Sequence, residues 1–429
     1  MDRRDFLKVG AGLIVGAALG LGGSLAVKGG RVETTVTETQ RPGAGRVKAL
    51  WVYVGPIGDY GWTHAHHLGK EYVLKNFDWV EGAHLEKVQE TQAYEVLKSQ
   101  LEEGSYNAVF ATSYGFMDAV KRLAAEFPEV KFYHCSGPWE EFKDLPNVST
   151  YFAEFYQLYY LNGVAAGAVT ESCKVGYTPA YLIPEVVRHI NAFALGAVHG
   201  ARVMGKCGNG EGLEVLVAPP LNSWFAPDKA REAARTLVDQ YGVDVVAYTE
   251  DSTATIEAAE EYWSQGVKVY SFSHYSNMVE YYERQGKKLR SHLTGQVADW
   301  GPIYYLLLAR QATGGYVKVD LWTRIGDLTP IRWRRPLGES TAGSREGTVY
   351  LAPLNTDAIP AKALDEIKRL YEDMKELLFE PFTGPIRGYQ INEQGEPQEE
   401  PRVKVEDGKR LGRDELWYMD WFYEKVSRI

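Results

Sequence analysis

The sequence predicts an α/β protein that consists of two Rossmann-like lobes. From residue 47 onward, short apolar runs alternate with segments of helical character, which is typical of parallel sheets covered by helices. This alternation occurs in two successive runs. The 429 residues are also too many for one hydrophobic core, so two domains are expected.

The first run predicts a lobe over 47–152. Its strands are predicted at 47–54, near 83–88, at Ala108–Thr112, at Lys131–Cys135 and at Val148–Phe152. Its helices are predicted at 65–77, 92–103 and 115–127. An aromatic helix over roughly 153–170 then leads into the second run.

The second run predicts a lobe over 153–294. Its strands are predicted at 174–178, 213–218, 243–247 and 267–272, and its helices at 185–204, 227–241 and 253–265. A helix at 299–313 is expected to cross back, so about 295–318 joins the first lobe. About 319–429 is expected to close the second lobe, with a long helix near 360–378 and a polar, irregular tail.

The N-terminus predicts export from the cytoplasm. Arg3-Arg4-Asp5-Phe6-Leu7-Lys8 matches the twin-arginine pattern, and an uncharged stretch rich in Gly and Ala follows it. Residues 1–27 are therefore expected to be a twin-arginine signal, or a membrane anchor if they are not cleaved. Residues 28–46 are expected to be a linker. Either alternative places the lobes in the periplasm or at the outer face of the cell membrane.

Composition and short motifs exclude some classes of partner. The net charge of −10, without a long basic run, argues against a nucleic-acid partner. The sequence has no Walker-type phosphate loop and no GxGxxG after a strand, so no cofactor is expected.

Three cysteines leave two alternatives. Cys135, Cys173 and Cys207 include no CxxC pair, which disfavours a zinc cluster. Cys173 precedes a predicted strand, and Cys207 follows a predicted helix that returns toward the start of that strand. A Cys173–Cys207 disulfide is therefore one alternative, and three buried thiols are the other.

The stretch 55–67 is the leading candidate for a ligand-binding loop. It follows a predicted strand and contains glycines and a proline, and ligands of open α/β sheets bind outside the carboxyl ends of strands. Asp59 can accept hydrogen bonds, Trp62 can stack on a flat ring, and His66 adds a donor or an acceptor. The alternative is a solvated turn with Trp62 folded back onto the core.

Five further loops are predicted at strand ends, over 112–118, 222–228, 249–253, 273–277 and 294–302, and all are expected where the two lobes face each other. Trp224 or Phe225 could oppose Trp62 across a cleft and form an aromatic sandwich. The candidate ligand-binding residues are Asp59, Trp62, His66, Ser113, Tyr114, Phe116, Trp224, Phe225, Asp251, Asp299 and Trp300.

Catalytic signatures are missing from the sequence. It contains no GxSxG elbow, no HExxH zinc helix and no evident pair of carboxylates for acid–base work. The run His64-x-His66-His67 lacks a carboxylate or Cys at metal-binding spacing. A binding protein without a catalytic centre or a metal is therefore favoured.

Six stretches, taken in order along the chain, carry a family resemblance. They are Gly55–Thr63 with His66, Ala111–Asp118, Ser223–Pro227, Asp299–Tyr305, Phe382–Ile386 and Glu415–Phe422. Together they resemble the basic membrane protein (BMP) family of solute-binding proteins, the purine-nucleoside receptors of ABC importers. The likeness covers roughly 47–429.

The resemblance implies a type I periplasmic-binding-protein fold, in which three crossing strands join two lobes. It also implies a purine nucleoside or free purine held between aromatic rings, carboxylates on the ribose, and an ABC permease as partner. Asp59 and Trp62, with Ser113 and Tyr114, would contact the ligand from the first lobe. Trp224 or Phe225 would supply the second ring, and Asp251 stands near the expected ribose contacts.

Two departures from the family pattern keep the ligand open. Ser271–Ser276 stands where many members have Asp-Ser-Asp, and Ser291–Gln296 stands where many carry a lysine. A nucleobase or another flat polar solute therefore competes with a nucleoside. The alternative function is an exported nucleoside-processing enzyme, for which Asp59 and His66 are the best available pair.

Overall fold

A computed structural model of the protein describes residues 45–328 and 347–429. The predicted export segment 1–27 and the linker up to residue 44 lie outside the described residues. Within the part of the chain that is described, no helix is both long and apolar enough to traverse a bilayer.

The first sheet has six strands in the order β11-β5-β4-β3-β1-β2, and each pair of neighbours is parallel. Its central strands are buried along their length because helices cover both faces. Its strands are β1 (Val47–Val52), β2 (Val80–Leu85), β3 (Ala108–Ala111), β4 (Lys131–Cys135), β5 (Val148–Ala153) and β11 (Asp320–Thr323). Its helices are α1 (Trp62–Asn76), α2 (Ala93–Glu103), α3 (Met117–Glu126) and α9 (Gly301–Ala312).

The second sheet has the order β16-β7-β6-β8, and a bridge from Val245 to Tyr270 connects it to the order β9-β10-β12. Its strands are β6 (Lys174–Thr178), β7 (Glu214–Val217), β8 (Val245–Tyr248), β9 (Ser271–Tyr275), β10 (His292–Ala298), β12 (Val349–Leu351) and β16 (Val426–Arg428). Its helices are α4 (Tyr156–Val169), α5 (Pro184–Met204), α6 (Pro227–Tyr241), α7 (Ala254–Ser264), α8 (Met278–Arg284) and α10 (Ala361–Lys375).

The chain passes between the two sheets three times. It leaves the first sheet after β5, returns after β10, and leaves again between β11 and β12. Two parallel α/β lobes joined in this way define the type I periplasmic-binding-protein fold, so the predicted fold class is confirmed. The lobe boundaries themselves stay a prediction, although β11 lies in the first sheet and just past the predicted limit near 318.

Helices α4 and α5 pack backbone against backbone in the second lobe. A Cβ on Gly163 would lie 2.1 Å from the carbonyl oxygen of Phe193, and a Cβ on Gly196 would lie 1.9 Å from that of Tyr160. Any side chain at these positions would force the helices apart, since real Cβ contacts are never so short. This close packing fixes α5, whose first turn reaches the interlobe cavity described below.

A disulfide joins Cys173 to Cys207, whose Cα atoms are 5.6 Å apart. It links the start of β6 to the turn that follows α5. Cys135 is a buried thiol at the end of β4.

The C-terminal segment is ordered, and the expectation of an irregular tail is wrong. The strands β13 (Ile386–Gln390), β14 (Arg402–Val405) and β15 (Trp421–Tyr423) form an antiparallel sheet, and β16 adds to the second sheet. The strands are short and separated by polar turns, so their periodicity is weak in the sequence.

A short helix, α11 (Arg413–Trp417), touches both lobes. The Arg188 guanidinium, on α5, donates to the carbonyl oxygen of Leu416 over 2.6 Å. The Trp417 ring lies 5.6 Å from Phe152 and 5.3 Å from Trp322, both on strands of the first sheet.

Several element boundaries also differ from the sequence prediction. The strand predicted at 267–272 is observed later, as β9, so Ser273–Tyr275 belongs to a strand rather than to a loop. Strand β10 and helix α8 are not predicted at all. Helix α1 begins at Trp62 instead of 65, because the Asp59 side chain accepts the backbone N–H groups of Thr63 and His64 in its first turn.

Candidate functional site

An interlobe cavity lies at the carboxyl ends of strands from both sheets. The cavity is narrow in this arrangement of the lobes, because the volume that water-sized molecules can occupy in it is only about 20 Å³, enough for about one water molecule. Residues that follow β1, β3 and β4 line it from the first lobe, and residues at or after the ends of β6, β7, β8 and β9 line it from the second. The lining residues are Val54, Trp62, Ser113, Tyr114, Ser136, Glu185, Trp224, Asp251 and Tyr275.

Asp59 builds the loop that brings Trp62 to this cavity. Its Oδ1 accepts the backbone N–H groups of Gly61 and His64, both over 2.9 Å, and its Oδ2 accepts that of Thr63 over 3.0 Å. These amides belong to the first turn of α1, which has no earlier backbone partners for them. Asp59 is buried and is not among the residues that line the cavity. Burial and the nearby Asp251 raise its pKa, against the lowering effect of the three amides.

Trp62 forms a fixed wall of the cavity. Its indole N–H donates to the carbonyl oxygen of Thr112 over 2.6 Å. Its ring meets Tyr275 edge-on at 5.0 Å and Trp300 at 5.2 Å. Only 7% of Trp62 is exposed. The ring therefore packs on the core, as the alternative interpretation of this loop expected, and it also lines the cavity.

Trp224 lines the cavity from the second lobe. Its ring packs on Tyr181 at 4.7 Å, and its carbonyl oxygen accepts the N–H of Asp251 over 2.7 Å. The adjacent Phe225 is 39% exposed and does not line the cavity. Of the two rings proposed to face Trp62, the structure therefore brings Trp224 to the cavity.

Asp251 joins the two lobes. Its Oδ1 accepts the backbone N–H of Trp62 over 3.1 Å and lies 3.3 Å from Nε2 of His274. Gly61 touches it so closely that an added Cβ would lie 3.0 Å from the Asp251 Cα. Burial raises the pKa of Asp251, while the Trp62 amide opposes that rise.

A second interlobe contact lies beside Asp251. The Ser276 hydroxyl donates to the carbonyl oxygen of Tyr60, and the Tyr60 and Tyr281 rings lie 3.9 Å apart.

Glu185 and Ser136 line the cavity without having been singled out from the sequence. Glu185 lies in the first turn of α5, and its Oε1 accepts the Tyr275 hydroxyl over 3.5 Å. Burial raises the pKa of Glu185 to about 8, Glu154 and Asp251 add to the rise, and Arg188 and Ser136 oppose it.

Besides Asp59 and Phe225, four predicted site residues lie away from this cavity. His66 is fully buried, stacks on Trp300 at 4.1 Å, and contacts the Tyr304 hydroxyl through Nδ1 over 2.5 Å. Trp300 and Phe116 are core residues. Asp299 accepts the N–H of Gly301 over 3.0 Å and lines a separate space of about 490 Å³.

Of the candidates, the structure therefore brings together Trp62, Ser113, Tyr114, Trp224 and Asp251. Val54, Ser136, Glu185 and Tyr275 were missed as site residues. Ser136 has a recognisable signal, because it follows the end of β4 and precedes Gly137 and Pro138. Across the described residues, no group of three His, Cys, Asp or Glu side chains could hold a metal ion.

A two-lobed α/β fold with an interlobe cavity is an architecture that substrate-binding proteins use. The chain matches the family Bmp, described as ABC transporter substrate-binding protein PnrA-like, over residues 46–320. This chain therefore belongs to that family of extracytoplasmic, non-enzymatic carriers, which exist to bind a small molecule and deliver it to a permease. Membership in a carrier family excludes the enzymatic alternative.

Two similar proteins agree with membership in this family. The chain is 32% identical to a purine-binding protein of Brucella abortus, over 80% of this chain and 85% of that protein. It is 37% identical to a protein of Haloferax volcanii named as an ABC transporter glucose-binding protein, over 55% of this chain and 57% of that one.

A solved structure supports the fold. The ABC transporter solute-binding protein of Aeropyrum pernix K1 superimposes with a TM-score of 0.60 over 77% of this chain and 91% of that chain, at 16% identity.

Proposed function

We propose that this protein is exported by the twin-arginine route and binds a purine nucleoside or nucleobase between Trp62 and Trp224 for an ABC importer. The observation that carries the proposal is that these two indoles line one cavity from opposite lobes. Stacking of a base on an aromatic ring contributes about 1–3 kcal/mol, which is large for a site of this size. The name of the Brucella relative points in the same direction.

The polar groups around the cavity support an uncharged ligand. Its two ionisable carboxyl groups belong to Glu185 and Asp251, and its other polar groups are hydroxyls of Ser and Tyr. A phosphate group would be placed beside carboxyl groups instead of basic side chains, so nucleotides are expected to bind poorly. Nucleosides and free bases carry no such charge.

Ligand capture would use hinge closure of the two lobes. The Asp251–Trp62 hydrogen bond and the contact at Gly61 would form only when the lobes meet. Because the cavity is narrow in this arrangement, a ligand would enter from a more open one, and its contacts to both lobes would then favour closure.

A sugar is the second candidate ligand. The Haloferax relative is named for glucose, and carboxyl groups beside Trp and Tyr rings suit sugar hydroxyls and ring faces as well. The difference is that a sugar would rely on hydroxyl contacts, whereas a purine would rely on stacking.

Calorimetric titration of the purified protein separates these ligands. The panel is adenosine, guanosine, inosine, adenine, AMP and glucose, with each mixture checked for unchanged ligand afterwards. We expect one purine compound to bind at least about 100-fold more tightly than AMP or glucose. Binding of glucose alone would replace the purine assignment with a sugar, and binding of none would remove it.

A further inference from the structure

We propose that Glu185 reads the edge of the bound ring and thereby selects among purine compounds. This inference rests on the proposed function and adds a residue that neither the family resemblance nor the motifs assign. The two tryptophans would cover the faces of a stacked ring, so discrimination has to come from the polar groups at its edge.

The other carboxyl group of the cavity is engaged through one of its two oxygens. Asp251 accepts the Trp62 amide through Oδ1, and its own N–H donates to the carbonyl oxygen of Trp224. Its position is thus determined by the meeting of the lobes. A ligand that competed for Oδ1 would weaken the closure that captures it.

A hydroxyl of the cavity is engaged as well. Ser113 donates through Oγ to Oε1 of Glu90 over 2.5 Å, so its proton is not offered to the cavity. The other polar side chains that line the cavity are those of Glu185, Ser136, Tyr114 and Tyr275, beside the indole N–H of Trp224 and the second oxygen of Asp251.

Glu185 is held in place but not saturated. Its contact with the Tyr275 hydroxyl is long, at 3.5 Å, and Ser136 is its other hydrogen-bonding neighbour. A carboxyl group has about four lone-pair sites, so acceptor capacity remains for a ligand. Helix α5, from which it projects, is fixed by the backbone-to-backbone packing on α4. A residue that determines specificity needs a rigid position and hydrogen-bonding capacity left for the ligand, and Glu185 has both.

The protonation state of Glu185 decides whether it matches the hydrogen-bonding edge of adenine or that of guanine. A neutral carboxyl offers one donor and one acceptor side by side, which suits the amino group and adjacent ring nitrogen of adenine. An ionised carboxylate offers acceptors only, which suits the two N–H donors on the guanine edge. Burial raises the pKa of Glu185 to about 8, so the neutral form prevails at pH 7.

The charged and titratable groups that face Glu185 come from several elements. Arg188 lies one turn further along α5, Glu154 follows β5, and Asp251 follows β8. The phenols of Tyr114, Tyr159, Tyr177 and Tyr275 are also close enough for Glu185 to raise their pKa values. Arg188 pairs with Glu154 over 2.9 Å, so its charge is largely compensated.

The test measures adenosine and guanosine affinity at about pH 6 and pH 8.5 for three proteins. For the wild type, we expect the adenosine-to-guanosine affinity ratio to fall at least about tenfold between the two pH values. Glu185→Gln keeps a donor beside an acceptor but cannot ionise, so its ratio should equal the low-pH wild-type ratio at both pH values. Glu185→Ala should lose the preference, with adenosine affinity at least about tenfold weaker.

Controls separate this inference from folding defects and from the proposed function. Glu129→Gln changes an exposed carboxylate of the first lobe and should behave as the wild type. Thermal unfolding of each variant checks that it is folded. A purine-binding wild type whose ratio is unaffected by pH and by Glu185→Ala overturns the role of Glu185 only. A wild type that binds neither nucleoside overturns the proposed function and this inference together.

Discussion

The two loops that bring tryptophans to the cavity are built differently. In the first lobe, Asp59 accepts three backbone N–H groups and the Trp62 indole donates to a carbonyl oxygen, so loop and ring are both fixed. In the second lobe, Glu250 accepts the Ala226 N–H over 2.6 Å, and Trp224 makes no comparable indole hydrogen bond among the described residues. Trp62 is therefore part of the core as well as a wall of the cavity, whereas Trp224 lines the cavity and is only partly buried.

Replacing Trp62 tests the structural side of this comparison and should have the largest effect. Trp62→Ala removes a ring that packs on Tyr275, His66 and Trp300, so we expect a loss of about 3–5 kcal/mol in the free energy of unfolding. Purine binding should become undetectable. Denaturant unfolding and calorimetric titration measure the two effects. A loss below about 1 kcal/mol would contradict the assignment of Trp62 to the core.

Replacing Trp224 tests the other side. Trp224→Ala should weaken purine binding by about 10- to 100-fold, the equivalent of one lost stacking contact. The free energy of unfolding should change by no more than about 1 kcal/mol, because the ring is only partly buried. The same two measurements apply. If Trp224→Ala and Trp62→Ala destabilise the protein equally, the distinction between the loops is wrong.

Asp251 connects the two loops through its hydrogen bonds to Trp62 and Trp224, and its titration should make the stability of the protein depend on pH. Burial raises its pKa in the folded protein, so the folded state holds a proton that the unfolded state releases near pH 4. The stabilising contribution of this proton is complete below about pH 4 and is lost as the pH rises through the elevated folded value.

The matching variant is Asp251→Asn, which cannot titrate. We expect the stability of the wild type, relative to this variant, to fall by at least about 1 kcal/mol between pH 5 and pH 9. Urea unfolding at several pH values measures the difference. A difference that stays constant, or that grows with pH, would show that Asp251 is not buried as a neutral acid.

Phe225 should give the smallest effect and serves as the control for its neighbour. Its side chain is 39% exposed and does not line the cavity, so Phe225→Ala should leave ligand affinity within about twofold and stability within about 0.5 kcal/mol. Parallel titration and unfolding of Phe225→Ala and Trp224→Ala make the comparison. A large loss of affinity at Phe225 would mean that the ring approaches the ligand when the lobes move.

The fold could be predicted from the sequence because its signal is repeated. Each buried strand is an apolar run followed by a turn and a helix, and the order of such units is read directly along the chain. The loops at strand ends were also predictable, and Trp62, Ser113, Tyr114, Trp224 and Asp251 do meet at one cavity.

The direction in which side chains point could not be predicted. Asp59 looks like a ligand contact, but its oxygens turn back to the amides of its own loop. His66 lies one helical turn after Trp62, on the same face of α1, and is therefore buried behind that ring. Glu185 was overlooked because a glutamate near a helix N-terminus is common, and only the packing of α5 brings it to the cavity.

Beside the three crossings of the chain and the contacts at Asp251 and Tyr60, helix α11 makes a further noncovalent connection between the lobes. The guanidinium of Arg413 binds the carboxylate of Asp320 on the first sheet, while β16, a few residues later, is a strand of the second. Any opening of the cleft must bend this segment or detach it from Asp320. The segment from α11 to β16, which lies beyond the family match that ends at residue 320, would therefore limit how far the lobes can separate.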